Sequence, residues 1–412
     1  MFSGTRIPRY ICRRCLRQYR RSYATSTPSA ETPRLFRRVH LPNRRLLSVS
    51  GVDAPKFLQG LTTNNVDSKR TEGWYTAFLH AQGRVLYEGF VYPTSETAAY
   101  QRWLGNSTSG GTVKGREEEE DWSCLIDVDT SEIKSLAKHL KRHKLRSKVN
   151  IRVVDEGEWD IWAVGQAREN SEEELLTLED SRAPSFGSRV VAPSSAASKL
   201  RELYPEEDSL EVYQRHRYLA GIPEGPQEII RGQALPIESN IDLMGGIDFK
   251  KGCYVGQELT IRTVHTGIVR KRILPVQLYL SGSSPPSTLA FSESEVVPMP
   301  LSGAEISIVP GDLAEEGSTT TTVRRRGRAR GAGDFLSGIG NVGLALCRLE
   351  TMTDLRLTTE GGGWKPDLEF EIKWTTETGK ENRVRTKAFV PEWHKERART
   401  KPHRKSTSGF ES

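Results

Sequence analysis

A chain of 412 residues is long enough for two or three compact units, each with its own core, since domains run to about 100–200 residues. Hydrophobic residues make up 36%, mean hydropathy is −0.55, and no apolar run approaches the roughly 18 residues a bilayer crossing needs, which excludes a membrane span. The net charge of +7 is confined to the first thirty residues: their seven arginines removed, 53 basic residues face 53 acidic ones, so basicity is no argument for nucleic-acid binding.

Those first thirty residues contain no acid and no lysine, and Ile7, Tyr10, Ile11, Leu16 and Tyr19 are spaced between the arginines. The pattern predicts a basic amphipathic mitochondrial transit peptide over residues 1–23, with Arg21-Ser22-Tyr23 before Ala24 as a processing site and a linker over 24–40. Of the cysteines at 12, 15, 124, 253 and 347, only Cys12 and Cys15 form a C-x-x-C, and it lies in the presequence. Three unpaired thiols suit a reduced compartment, and none has zinc-site spacing with another.

Residues 41–275 predict an α+β region. RRLLSVSG reads as a strand, and Asp53 with Pro55 opens a helix. Trp74–His80 and Arg84–Tyr92 form a hairpin around Gln82-Gly83. Residues 106–121 are small, polar and acidic, the composition of a disordered insertion. WSCLIDVD is a strand, Asp129 and Glu132 predict a capping box, and Ile133, Leu136, Ala137 and Leu140 share the apolar face of the helix that follows. Its basic residues from 134 to 144 read as a solvated face. KVNIRVVD and EWDIWAVG add strands, and Leu210–Leu219 adds a helix that stops before Gly221. No G-x-G-x-x-G follows a strand and no Walker loop is present.

After Pro275 the texture changes to short alternating stretches separated by Ser/Pro/Gly/Thr-rich segments. This predicts a small C-terminal β-barrel over 276–392 with insertions at 281–300 and 312–338, and a disordered basic tail over 393–412.

Between these regions stands FKKGCYVGQE, Phe249 to Glu258. Glycines at 245, 246, 252 and 256 permit sharp turns, and Leu259, Ile261 and Val264 predict a short helix ending near Gly267, which places Cys253 in a tight loop before a helix. A helix N-terminus and neighbouring lysines both favour a thiolate, whereas cysteine is also a common small core residue; local chemistry leaves both readings open. His265, twelve residues on, is too distant for a Cys–His pair, and one thiolate is only one ligand of the several that zinc or a cluster needs.

Lys251-Gly252-Cys253-Tyr254-x-Gly256-Gln257-Glu258 resembles the signature of the folate-binding YgfZ family, which includes mitochondrial iron-sulfur cluster assembly factors. The resemblance extends to residues 45–66, 81–92, 139–151, 220–225 and 343–350. It implies the fold of the glycine-cleavage T protein: a tripartite ring of two α+β subdomains and a C-terminal β-barrel around an opening that accommodates folate. It also implies a matrix protein that matures [4Fe-4S] proteins with A-type scaffold partners and tetrahydrofolate, holding no stable metal of its own, with Cys253 as a shared ligand at most. Lys251 is then expected to activate the thiol, Gly252 and Gly256 to shape the loop, and Gln257 and Glu258 to cap the helix or hydrogen-bond a ligand. T proteins carry an Asp-Asp pair where this chain has Tyr87 and Glu88, which weakens the alternative of a true aminomethyltransferase; a rigid interaction module is the third reading.

Overall fold

The computed structural model describes residues 36–95, 97–107, 122–165, 175–309, 331–355, 363–376 and 379–399. The expected transit peptide lies outside them, as do most of the insertion at 106–121 and residues 312–330 of the third insertion.

Strands β1 (Arg38–His40), β2 (Arg44–Ser50), β3 (Trp74–Leu79), β4 (Val85–Pro93), β5 (Ser123–Asp129), β6 (Asn150–Val153), β7 (Trp159–Val164), β8 (Leu176–Glu179) and β9 (Ser188–Pro193) build two sheets. One is antiparallel, in the order β3-β4-β5-β2-β6; the other runs β1-β7-β9-β8. The first is buried on both faces, and alternation divides its side chains. Leu47, Val49, Phe78 and Ile126 pack on helices α1 (Ala54–Gln59), whose Phe57 and Leu58 are buried, and α3 (Ile133–His143). Leu46, Tyr75, Phe90 and Leu125 turn the other way, into a core shared with Ile161 and Val191 of the second sheet. Helices α2 (Ala98–Ser107), α4 (Ala197–Leu203) and α5 (Leu210–Ala220) complete the region.

Strands β10 (Lys271–Tyr279), β11 (Glu305–Ile308), β12 (Gly333–Ile339), β13 (Val342–Arg348), β14 (Phe370–Thr375) and β15 (Glu381–Ala388) close a barrel in the order β10-β13-β12-β11-β14-β15. Helices α6 (Gln257–Thr266), α7 (Leu349–Met352) and α8 (Glu392–Arg399) flank it in sequence. No helix among the described residues is long and apolar enough to cross a membrane.

Several expected boundaries move. Residues 36–40 are part of the fold rather than linker: Phe36 is buried with its ring edge-on to Tyr213, and β1 pairs with β7. Pro275 lies inside β10, where its carbonyl still accepts from Phe389 N–H, so the barrel begins at 271. Residues 333–338, expected within an insertion, form most of β12. The segment 281–300 packs on the barrel through bonds from Ala290 N–H to Gln277 and from Ser292 N–H to Asn341.

The tail from 393 is helical as far as 399 because it is tied down. Trp393 Nε1 donates to Ala220 O at 2.9 Å, and Arg397 reaches the carbonyls of Leu243 at 2.7 Å and Arg182 at 3.0 Å. The capping box also fails: Glu132 itself stands at the N-cap of α3, and the Asp129 carboxylate accepts from Ser131 instead.

Candidate functional site

Two segments of the resemblance, far apart in sequence, meet at the cysteine loop. The connection after α1, Gln59-Gly60-Leu61-Thr62-Thr63-Asn64, forms its bed. Asp248 N–H donates to Thr63 O at 3.1 Å and Val255 N–H to Gly60 O at 3.0 Å, which pins both ends. Between them the Lys251 ammonium donates to three carbonyls, Gln59 at 2.8 Å, Thr62 at 2.7 Å and Asn64 at 2.8 Å. It also lies 5.1 Å from the centre of the Tyr254 ring.

All three ammonium donors are thus occupied by backbone. Burial, opposed by the Asp248 charge, holds the Lys251 pKa down at about 8. The expected role of Lys251 as activator of the thiol gives way to that of a clamp, which leaves no N–H for the sulfur.

Gly256 is the N-cap of α6 at φ +80, and a Cβ there would stand 2.3 Å from His80 O and 3.2 Å from Gly83 Cα. The β3–β4 turn therefore packs directly on the start of α6. Gly252 is different: it is exposed, and a Cβ would meet nothing within 4 Å. Gln257 accepts from Tyr254 N–H at 3.2 Å, bracing the loop against the helix it precedes, and Glu258 is exposed in the first turn, where its charge suits the helix dipole. Tyr254 is buried, and desolvation pushes its phenol up to about 12.

The result is an exposed Cys253 on a rigidly held loop, whereas Cys124 and Cys347 are buried and burial pushes both thiols up out of reach of ionisation. His265 lies in the last turn of α6, separated from the loop by a helix about 15 Å long at 1.5 Å per residue. Among the described residues no group of three His, Cys, Asp or Glu side chains could hold a metal ion. Chemically, the loop offers a single accessible sulfur, able to attack an electrophile or to complete a coordination sphere supplied mostly by another molecule.

A second constellation is absent from the sequence expectations. On the shared face of the two sheets, Arg44 donates to Glu88 at 2.6 Å and to Asp127 at 2.5 Å, and Arg189 donates to Asp127 at 2.7 Å and to Glu224. Arg182 bridges Asp180 and Glu224 at 2.7 and 2.8 Å, Tyr213 Oη donates to Glu224 at 3.0 Å, and Arg217 pairs with Glu228 at 2.7 Å. All of these side chains are buried.

Burial opposes these charges and the pairing restores them: the arginines around Glu224 hold its carboxyl well below the ordinary range, and the facing carboxylates keep Arg44 and Arg182 protonated. The sequence does carry a signal. Asp127 and Arg189 fall on the inward face of strands whose neighbours at that face, Leu125 and Val191, are core residues. Glu88 is locked to Arg44 and to Gly225 N–H at 3.1 Å, and Tyr87 takes a hydrogen bond from Arg231 at 2.6 Å.

Two antiparallel-strand layers and a closed six-stranded barrel, with an exposed cysteine on the loop ahead of the barrel, define a protein of the T-protein fold. The glycine cleavage aminomethyltransferase T from Bartonella henselae superposes with a TM-score of 0.54 at 10% identity, covering 87% of this chain and 86% of that one, a likeness of fold alone. The model of the CAF17 C-terminal beta-barrel domain matches residues 270–396.

The chain belongs to the IBA57 family of mitochondrial iron-sulfur cluster assembly factors. It is 41% identical to the Coccidioides immitis homologue over 94% of this chain and 92% of that protein, and 42% identical to the Neurospora crassa homologue over 93% and 87%. By that kinship it is a mitochondrial protein.

Proposed function

We propose that the chain assists the maturation of [4Fe-4S] proteins in the mitochondrial matrix, together with A-type scaffold partners, and that Cys253 is the residue through which it acts. The observation that carries this reading is the exposed thiol on a loop immobilised by the Lys251 clamp. A single sulfur presented at the surface suits transient sharing of a cluster whose other ligands belong to a partner. The relatives named as iron-sulfur cluster assembly factors match over nearly the whole chain.

Tetrahydrofolate is proposed as the small-molecule cofactor. Support comes from the buried charge cluster, where Glu88 Oε2 accepts no hydrogen bond, and a pterin ring presents N–H groups that would satisfy it. The aminomethyltransferase reading has less behind it, because Glu88 is paired with Arg44 and Tyr87 with Arg231, so neither stands free as a base.

The test replaces Cys253 by Ser in cells depleted of the native protein and assays aconitase-type [4Fe-4S] enzymes and glycine cleavage in parallel. Failed cluster enzymes with intact glycine cleavage is the expected result; the reverse pattern overturns the assignment. Titrating purified protein with tetrahydrofolate, wild type against Glu88→Gln, checks the cofactor: the wild type should bind and the variant bind more weakly, and no binding by the wild type removes folate from the proposal.

A further inference from the structure

A cavity of about 500 Å³ opens between the C-terminal end of α6, the barrel and α8, at the opposite end of α6 from the cysteine motif. That volume lies within the range of roughly 300–1,000 Å³ typical of small-molecule sites. Leu243, Val264, Leu274 and Val390 contribute apolar walls. Three polar features stand among them, and their chemistry differs.

Arg272 is fully committed: it donates to Asp242 at 2.9 and 3.1 Å and to Ile237 O at 2.7 Å, so its charge is neutralised inside the wall. His394, on α8, is 3% exposed and lines the cavity, yet neither Nδ1 nor Nε2 has a hydrogen-bond partner. Burial first, then the nearby Arg272 and Arg397 charges, push its pKa down to about 3, so the ring is neutral and offers one N–H donor and one lone pair. Lys395 and Arg399 also line the cavity and are far less buried; Lys395 lies 3.4 Å from Glu392, and the two cations still leave the outer edge with a net positive charge.

The geometry points to a binding site for a small amphipathic carboxylate, with its apolar body against the aliphatic walls, a hydroxyl or carbonyl oxygen at His394, and the carboxylate between Lys395 and Arg399. A buried imidazole with neither nitrogen satisfied is otherwise a plain loss of stability, and a ligand oxygen removes it. Apolar walls with few placed polar groups give such a site its affinity and its orientation respectively. The site is separate from the cysteine loop and does not depend on the function proposed for it.

Calorimetry on the full chain with three ten-carbon probes tests each part. 10-Hydroxydecanoate should bind with one-to-one stoichiometry, decanoate several-fold more weakly for want of the oxygen at His394, and 1,10-decanediol at least tenfold more weakly for want of the carboxylate. Ala398→Trp, at an exposed position on α8 that lines the cavity, should abolish binding while leaving the thermal midpoint unchanged. His394→Phe should bring 10-hydroxydecanoate down to the affinity of decanoate. Absence of saturable binding by 10-hydroxydecanoate, or binding undiminished in Ala398→Trp, overturns the site. A diol that binds as tightly as the hydroxy acid overturns the carboxylate, and a His394→Phe protein that still prefers the hydroxy acid overturns the role of the imidazole.

Discussion

The Lys251 ammonium and the Thr62 carbonyl oxygen, 189 positions apart in the chain, are joined by a 2.7 Å hydrogen bond. With the parallel bonds to Gln59 and Asn64 it fastens the cysteine loop to the turn after α1. Lys251→Met keeps the stem and removes all three donors, so the partly buried Gln59 and Thr62 carbonyls lose the ammonium and Asn64 O keeps only Thr62 Oγ1. A loss of about 1–3 kcal/mol is expected in urea unfolding. Peptide mapping after a short iodoacetamide pulse should show Cys253 alone labelled among Cys124, Cys253 and Cys347 in the wild type, at a rate that changes in the variant because the loop is no longer held.

The two glycines of the motif should respond differently. Gly256→Ala forces a side chain into positive φ with His80 O 2.3 Å away, so the β3–β4 turn and the start of α6 must separate. Strain of this kind costs on the order of 1–3 kcal/mol, before the steric term is added. Gly252→Ala meets open space and should shift the denaturation midpoint by less than about 0.5 kcal/mol. Equal effects at the two positions would contradict the packing of Gly256 on Gly83.

Arg189 ties Asp127 of β5 to Glu224 in the segment after α5, from a side chain that is wholly buried. Arg189→Met removes the cation that joins Asp127 to Glu224; Arg44 stays with the first carboxylate and Arg182 with the second, but each loses one of its buried counter-charges. Breaking a buried pair in this way costs about 3–5 kcal/mol, enough to unfold many domains, and chemical denaturation should show it. Glu224→Gln in the same background should recover part of the loss, since it withdraws one of the two under-compensated charges.

Stability should depend on pH in two opposed ways. Burial first, then the Glu88 and Asp129 charges, raise Glu132 from 4.5 to about 7 against the pull of Arg231 and Arg44. The folded state therefore holds a proton that the unfolded chain has released, and this contribution is present in full below pH 4.5 and lost as pH rises through 7. Glu132→Gln should gain on the wild type across that interval and keep a constant advantage above it.

His394 acts in the other direction: its pKa falls from 6.5 to about 3, so stability is complete above pH 6.5 and is lost as pH drops towards 3. His394→Phe should flatten the acid side alone. Thermal midpoints of the two variants and the wild type between pH 4 and 8 check both signs.

What could be read from the sequence was local or periodic. The alternation in β2, β4 and β5, the barrel strands after residue 300 other than β12, and the helix from 257 to 266 all follow from side-chain spacing. The position of Cys253 before that helix follows from the glycines around it. The errors share a cause. Residues 36–40 and 393–399 have too little pattern of their own to mark an element, and they are ordered by partners elsewhere: Tyr213 for Phe36, Ala220 for Trp393. β12 was hidden because its Gly-Ser content resembles the insertion that precedes it.

By itself the sequence determined that the chain is α+β followed by a barrel, and that one cysteine sits among turn-forming glycines ahead of a short helix, because both depend on neighbours within a few residues. Only the tertiary structure decided what the charged residues do. Lys251 looks like an activator of Cys253 when only adjacent residues are considered, and becomes a clamp once the turn after α1 is brought under it. Asp127 and Arg189 show their inward placement in the strand alternation, but their pairing with Arg44 and Glu224 in one buried network where two sheets converge is set only by the fold. A charge is defined by its partner and by the water it has lost, and the chain sets both only when it folds.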